Sequence, residues 1–478
     1  MKHIGQLLIT ERERLKLALF MCVFQEEVVT RETVMNKYAV TERKLMSILD
    51  DLSTDLACIS VDTRILYHRP VLMFSQPLSD KAYLITLKKL ETMYYKQSNR
   101  YLLIMYLLSN GETTSAMISK ALNLSQSYTY KIAEDLTRFF KIINLQAKIK
   151  REKGEWSIVG DEAELRLLDY LLHQISQPIV LTQISQLPEQ CSHHFQRRLD
   201  PSSSQKYLML SDICQSSQLT RGSILKITPE TRLFFQLIAA RIPEIDSDRI
   251  DNDSIFLCVM TVFIVPELVS KSDIQIIGQQ LWEMAKTNSR LLKIRQMIDS
   301  MKNVMRESES TMFEDNTSIM YDLTLHYLVY KDFGFWKLLD VSTYLSDFRP
   351  YQFSLYEALI ATLSFEPSQF ASVFAFRAME LSYAHYRPCP HKQLKIYVMF
   401  YYWSADSRIV INSILTAYSD KVVTICNDLA SADVVVTDVV LEDFNEEDTF
   451  YFFDFNNMSR WNHLSQFIQK KIMQKLSV

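Results

Sequence analysis

Ser125, Gln126, Ser127, Tyr130 and Lys131 crowd into one short stretch and, at helical spacing, share a single outward face. A second set, Thr41, Glu42, Arg43, Lys44 and Ser47, lies in TERKLMSILDDL. Side chains of these types reach base edges or phosphate oxygens, and arginine is the best bidentate partner for guanine. Two basic clusters lie further along the chain from these sets. Arg64, His68 and Arg69 sit in CISVDTRILYHRPVLMFS, and Lys148, Lys150, Arg151 and Lys153 sit in LQAKIKREKGEWSIVG. The chemistry on offer is recognition of a polyanion; no catalytic group, cofactor or metal is expected.

The elements that must position these residues are legible around them. Thr113 to Leu136 reads as two short helices joined by a tight turn, with Ile118 and Leu122 on one face and small Ser119 allowing a close crossing. Asn123 suits the turn because it tolerates the left-handed conformation. Leu124 plugs it, and Ile132 and Leu136 continue the buried stripe. This is the shape of a helix-turn-helix whose second helix enters the major groove, although any antiparallel helix pair can imitate it.

A shift of 84 positions supplies the stronger argument. It lays Val34 on Ile118, Tyr38 on Leu122, Val40 on Leu124, Thr41 on Ser125, Ile48 on Ile132 and Asp51-Leu52 on Asp135-Leu136. The preceding helices register too, Leu17 to Phe24 over Tyr101 to Leu108. One unit is used twice. Thr30 caps a helix through Tyr38, and Thr41 caps the first candidate reading helix. After each reading helix the pattern turns extended, at 57–75 and again around a Lys153-Gly154 turn with Trp156 on the returning strand, as a wing against the phosphate backbone would.

Charge shows the same division. The net charge is −4, yet residues 1–160 hold 23 Lys and Arg against 17 Asp and Glu, leaving the remainder at −10. Only the first third suits a polyanion; the rest suits protein contacts. The seven cysteines, 22, 58, 191, 214, 258, 389 and 426, never form a CxxC pair, which speaks for reduced thiols in a cytoplasm and against a zinc site or disulfide framework. No apolar run is long enough to cross a bilayer, and MKHIGQLLITERERLK lacks the core of a signal peptide, so a soluble cytoplasmic protein without membrane contact is expected.

The fold class expected is multidomain and mainly α. With 478 residues, 48% of them hydrophobic, and only 7 Gly, the chain should hold several helix-rich domains. Two winged helix-turn-helix modules occupy 1–78 and 79–160. Helical bundles come next, at 161–287 and 288–388, read from AELRLLDYLLHQI, ETRLFFQLIAARI, DIQIIGQQLWEMAKTNSRLLKIRQMIDSMKNV, SIMYDLTLHYLVY and SLYEALIATLSFE. Polar breaks at Pro201-Ser204 and Glu307-Asp315 separate helix groups. From 389 to 478, strands LKIYVMFYYW, KVVTICND, ADVVVTD and TFYFFDF, together with helices SRIVINSILTAY and MSRWNHLSQFIQKKIMQKL, predict a small, largely parallel α/β domain.

This order of parts, with the motifs TRETVMNKYAVTERKLMSILDDL and TTSAMISKALNLSQSYTYKIAEDL, resembles the Mga/AtxA-type virulence regulators of Gram-positive bacteria. The resemblance implies that the bundles are phosphotransferase-system regulatory domains (PRDs) and that the last domain is IIB-like. It implies a transcription regulator that binds double-stranded promoter DNA. Such a regulator is tuned by histidine phosphorylation from a transient phosphocarrier protein and forms a homodimer through its carboxyl end. The candidate acceptors are His193 and His194, near Arg197 and Arg198, then His385 beside Arg387, and His326. His173 and His326 lie in apolar helices, where a core histidine is the stronger reading.

A IIB enzyme carries its phosphocysteine after the first strand. Here that loop, Trp403 to Arg408, has no cysteine, and Asp406 repels an anion, which leaves an interaction domain, expected to dimerise through its aromatic residues. Two other functions stay open: a phosphocarrier component of the phosphotransferase system, and a PRD-containing RNA antiterminator, whose small all-β amino-terminal domain is missing.

Overall fold

The computed structural model describes residues 2–25, 29–59, 63–68, 70–176, 201–222, 224–242, 251–307, 311–313, 316–339, 350–388, 393–400, 406–419, 422–439, 445–452 and 458–476. These are mainly helical. The chain divides into two compact units, Met1–Ser270 with Leu325–Asp340, and Lys271–Thr324 with Val341–Val478.

After α1 (Lys2–Leu8), the first unit runs through one set of elements twice. The first copy holds α2 (Glu11–Gln25), β1 (Val29–Thr30), α3 (Arg31–Tyr38), α4 (Glu42–Cys58) and the hairpin β2 (Ile65–His68) and β3 (Val71–Phe74). Helix α5 (Asp80–Gln97) leads to α6 (Asn99–Asn110), β4 (Thr113–Thr114), α7 (Ser115–Leu122), α8 (Gln126–Ile142) and the hairpin β5 (Lys148–Glu152) and β6 (Glu155–Val159). Helix α9 (Glu162–Ser176) closes the series.

The 84-residue shift holds for backbone and caps alike. Thr30 and Thr114 accept from the amides of Thr33 and Met117, and Thr41 and Ser125 accept from those of Lys44 and Tyr128. Each cap satisfies an amide that the first helical turn leaves open, contributing about 1 kcal/mol. The residue that reverses the chain is left-handed in both copies, Ala39 at φ 50° and Asn123 at φ 53°. In each copy a short strand adds to the returning strand of the hairpin, and the register Val29 to Leu72 recurs as Thr113 to Trp156. Core positions correspond as well. Leu19, Phe20, Val34, Ile48, Leu52 and Leu72 are buried, as are Leu103, Ile104, Ile118, Ile132, Leu136 and Trp156.

Helices α10 (Pro201–Thr220), α11 (Pro229–Ala239) and α12 (Asn252–Ile264) complete the first unit together with Leu325–Asp340. Pro201-Ser204, expected to be a polar break, is instead the first turn of α10. Proline is at home there, and Ser203 is buried with its hydroxyl donating to Glu267 at 2.6 Å.

The second unit contains α13 (Lys271–Met284), α14 (Ser289–Glu307), β7 (Thr311–Phe313), the first half of α15 (Asn316–Lys331), α16 (Pro350–Thr362), α17 (Ser368–Ala384) and β8 (Tyr386–Pro388). The break expected at Glu307-Asp315 contains β7, which pairs antiparallel with β8. The first of the two compact units ends at residue 270, and Leu325–Asp340 returns to it.

Last come β9 (Leu394–Met399), α18 (Asp406–Ala417), β10 (Val423–Ile425), β11 (Val434–Thr437), β12 (Thr449–Tyr451) and α19 (Met458–Leu476). The sheet is wholly parallel in the order β10-β9-β11-β12. All four residues of β11 are buried, as a strand covered on both faces requires. Several aromatic residues of this domain serve its own core. Phe400, Phe450 and Phe452 are core side chains, with Trp461 packed on them, because the strands that carry them are covered by helices.

Ala39 adopts a backbone conformation that a Cβ makes unfavourable by about 1–2 kcal/mol. We expect Ala39→Gly to raise the unfolding free energy of the first copy by about 1 kcal/mol, and Asn123→Ala to lower that of the second by a similar amount. Urea unfolding of the full chain, combined with hydrogen exchange of each copy, measures both; a loss for Ala39→Gly or a gain for Asn123→Ala would show that the turns do not limit stability.

Candidate nucleic-acid interface

Helix α8 is divided by packing into two faces. Thr129, Ile132, Ala133, Leu136, Phe139 and Phe140 are buried, and the Thr129 hydroxyl donates back to the Ser125 carbonyl at 3.1 Å, so no polar group is stranded inside. Ser125, Gln126, Ser127, Tyr130 and Lys131 are left exposed. On the hairpin, Lys148, Lys150, Arg151 and Lys153 are exposed as well. Lys153 and Gly154, both at positive φ, make the tight turn between β5 and β6, a geometry that suits the twist of paired strands.

Helix and hairpin are fastened by one stack. Trp156 is 2% exposed, and the Tyr130 ring meets it edge-on at 4.9 Å. The Arg151 guanidinium lies 4.6 Å from the Trp156 ring and 5.0 Å from the Tyr130 ring. A cation held between two aromatic faces contributes about 0.5–2 kcal/mol per contact and fixes how the hairpin is aimed relative to α8. Tyr130 therefore has a structural contact that sequence reasoning, which counted it only as an outward donor, did not find.

The cations differ in how far they are already engaged. Lys150 pairs with Glu152 at 2.8 Å. Arg100 and Arg138 both reach Asp135, at the joint of α6 and α8. Among the described residues nothing pairs with Lys131, Lys148 or Lys153. These three and Arg151 belong to the available positive surface of the second copy, together with exposed Lys120 and Lys141.

The first copy has the same frame and a quieter surface. Thr41, Glu42, Arg43, Lys44 and Ser47 are exposed on α4. Arg12 from α2, however, donates to the Ser47 hydroxyl at 2.6 Å and to its carbonyl at 3.2 Å and pairs with Asp51. Lys44 lies 3.3 Å from Glu11, and Glu42 pairs with Arg31. Among the described residues Arg43 has no partner. Arg64 is exposed ahead of β2 with its backbone amide donating to Ser75, and Arg69 lies outside the described residues.

Comparison with known proteins turns on one segment. Residues 84–173 match the family model of the Mga helix-turn-helix domain. That segment of the chain is similar to this domain. No curated protein matches the chain. The Mga domain opens within α5 and closes within α9, so every second-copy candidate from Ser125 to Lys153 falls inside it. A match to that domain suggests DNA binding, and α8 with its hairpin lies within the matched segment. The first copy precedes it.

The histidines have distinct surroundings. His173, at the last residue of the Mga domain, is half-buried beside Asp169. His326 is 8% exposed and meets the Phe263 ring edge-on at 5.0 Å. Its ring also lies 6.1 Å from that of Tyr330. His385 places Nε2 at 2.7 Å from Asp322 Oδ2, with 16% of its side chain exposed. His193 and His194 lie outside the described residues. No described helix is long and apolar enough to cross a membrane, and no group of three or more His, Cys, Asp or Glu among the described residues could hold a metal.

Removing the Arg151 guanidinium deletes the clamp while leaving Trp156 in the core. Arg151→Ala should speed hydrogen exchange at amides of β5 and β6 severalfold with α8 unchanged; unaltered exchange would show that the stack does not hold the hairpin.

Proposed function

We propose that the chain is a transcription regulator that grips double-stranded promoter DNA through two winged helix-turn-helix modules, the second making the firmer contact. The observation that supports it best is the exposed surface of α8 and the β5–β6 wing within the Mga domain, duplicated upstream at constant spacing. Ser125, Gln126, Ser127, Tyr130 and Lys131 face the base edges in this reading, and Lys148, Lys150, Arg151 and Lys153 face phosphates. Thr41, Glu42, Arg43, Lys44, Ser47, Arg64 and Arg69 serve the first module in the same roles. There Arg12, Arg31 and Lys44 must first give up internal partners, which lowers what each contributes, while Arg43 is free among the described residues.

Regulation in this proposal runs through PRD-like bundles that accept a phosphoryl group from a phosphocarrier of the sugar phosphotransferase system. Copies of the chain pair through the carboxyl-terminal α/β domain. The candidates are His385, His326, His193 and His194, the last two outside the described residues. A phosphoryl group adds roughly −2 charge, and on His385 it would stand against the Asp322 carboxylate and push the end of α17 away from α15.

The DNA half is tested by titrating a promoter fragment recovered by footprinting. With ~6–10 phosphate contacts, affinity should fall by ~10³–10⁵ between ~50 and ~200 mM salt, and Lys148→Ala and Lys153→Ala should each flatten the salt slope by about one contact. Lys44→Ala should change it less. Salt-insensitive binding would overturn the reading, and a larger loss from Lys44→Ala would reverse the order of the modules.

The regulatory half is tested by sedimentation and transcription. His385→Asp should shift the oligomer distribution and promoter output, with His385→Gln staying near the native chain. Identical behaviour of all three would remove His385 from the scheme.

A further inference from the structure

The two hairpins of the first unit share one register and carry opposite surfaces. Residues directly across an antiparallel pair point the same way, so alternate pairs along a hairpin make up one face. In the first hairpin Ile65 opposite Phe74 and Tyr67 opposite Leu72 form the inner face, and Ile149 opposite Ile158 and Arg151 opposite Trp156 stand at the same places 84 residues later. The inner faces hold the modules together.

The outer faces differ. In the second hairpin this face is polar, with Lys150 opposite Ser157 and Glu152 opposite Glu155. At the same places the first hairpin has Leu66 opposite Met73 and His68 opposite Val71. Leu66 is 38% exposed and Met73 48%. Because the second copy builds the same hairpin with Lys150 and Ser157 there, the frame does not need an apolar residue at either place. A contiguous apolar pair left in water, on a hairpin that folds without it, is surface kept for a partner.

Charge indicates which partner. Arg64 lies two residues before Leu66 and His68 two residues after it, both exposed on the same side of β2. No acidic residue joins Arg64, Leu66, His68, Val71 and Met73 on this face, whereas Glu152 and Glu155 offset the lysines of the second hairpin. An apolar centre rimmed by a cation and an imidazole complements a ligand that is apolar in the middle and anionic at its edges. The minor groove of a DNA duplex has that character, since sugar and base edges line it between two rows of phosphates.

We propose that the first hairpin enters the minor groove, where Leu66 and Met73 wedge against one base step and kink the duplex while Arg64 and His68 reach the flanking phosphates. This rests on the DNA-binding function proposed above and gives the two modules different tasks. The second holds phosphates with its hairpin, and the first deforms the duplex. Unstacking is easiest at pyrimidine–purine steps, so the first hairpin adds a sequence preference without a hydrogen bond to any base.

The test is energy transfer between dyes at the two ends of a duplex of about 30 base pairs that carries the footprinted site, titrated with the full chain. The native chain should bring the ends closer. The double variant Leu66→Lys with Met73→Ser, which places the second hairpin's residues in the first, should remove most of that change and weaken binding about tenfold, with hydrogen exchange of β2 and β3 and sedimentation of the DNA-free chain both unchanged. Lys148→Ala should weaken binding and leave the bend of the bound duplex as it was, which separates grip from deformation. A bound duplex as straight as the unbound one, or an equal bend with the double variant, would overturn the wedge, and salt-sensitive binding in the same titration would leave the DNA-binding function standing. A change in sedimentation of the DNA-free double variant would assign the face to a second copy of the chain and overturn it as well.

Discussion

The candidate interface depends on a single backbone constraint, a left-handed residue between two short capped helices. Ala39 and Asn123 reverse the chain within one residue, and Thr41 and Ser125 start the next helix two positions later. With the turn fixed, only one rotation of the second helix buries its apolar stripe, Ile48 and Leu52 in one copy and Ile132 and Leu136 in the other. The polar residues then have nowhere to point but outward. The contact surface is thus a by-product of core burial, which is why two copies with different outer residues share one frame.

The copies diverge in what their surfaces do with charge. In the first, Glu11, Asp51 and Glu42 absorb Lys44, Arg12 and Arg31. In the second, the corresponding joint spends Arg100 and Arg138 on Asp135 and leaves Lys131 and the hairpin lysines Lys148 and Lys153 unengaged. Exposed pairs contribute little to stability, about 0–1 kcal/mol each. Their larger effect is on the field that an approaching polyanion meets, because a paired cation presents a dipole where a free one presents a charge.

How far the sequence reveals this varies with the range of the interaction involved. Caps, turn residue and hairpin turn are local, so Thr30, Thr41, Asn123 and Lys153-Gly154 are readable from neighbours a few residues away, and the duplication checks each against a second copy. Arg12 meets Ser47 across 35 positions, and Tyr130 meets Arg151 and Trp156 only when the hairpin folds back, so neither contact leaves a mark in periodicity. Pro201-Ser204 misleads because the same polar residues that break a helix also start one. Phe400, Phe450 and Phe452 of the carboxyl-terminal domain turn inward, and an aromatic residue reads alike whether its partner is a helix of the same chain or another protein.

Charges buried in the first unit bear on how the Mga domain is joined to helices α10 and α12. Arg166 on α9 is 1% exposed between Glu162, at 2.9 Å, and Asp253 of α12. Arg221, just past α10, reaches Glu162 at 3.1 Å and the Leu108 carbonyl of α6 at 2.8 Å. The desolvation of four ionised groups offsets much of their mutual attraction, so the cluster adds little net stability. It acts instead on register. Sliding α10 or α12 past α9 would strand a buried charge, at a cost of about 3–5 kcal/mol, comparable to a large part of a domain's whole stability. Helices α6 and α9 are therefore held in register with α10 and α12, which lie beyond the matched segment, because none of them slides without stranding one of these charges.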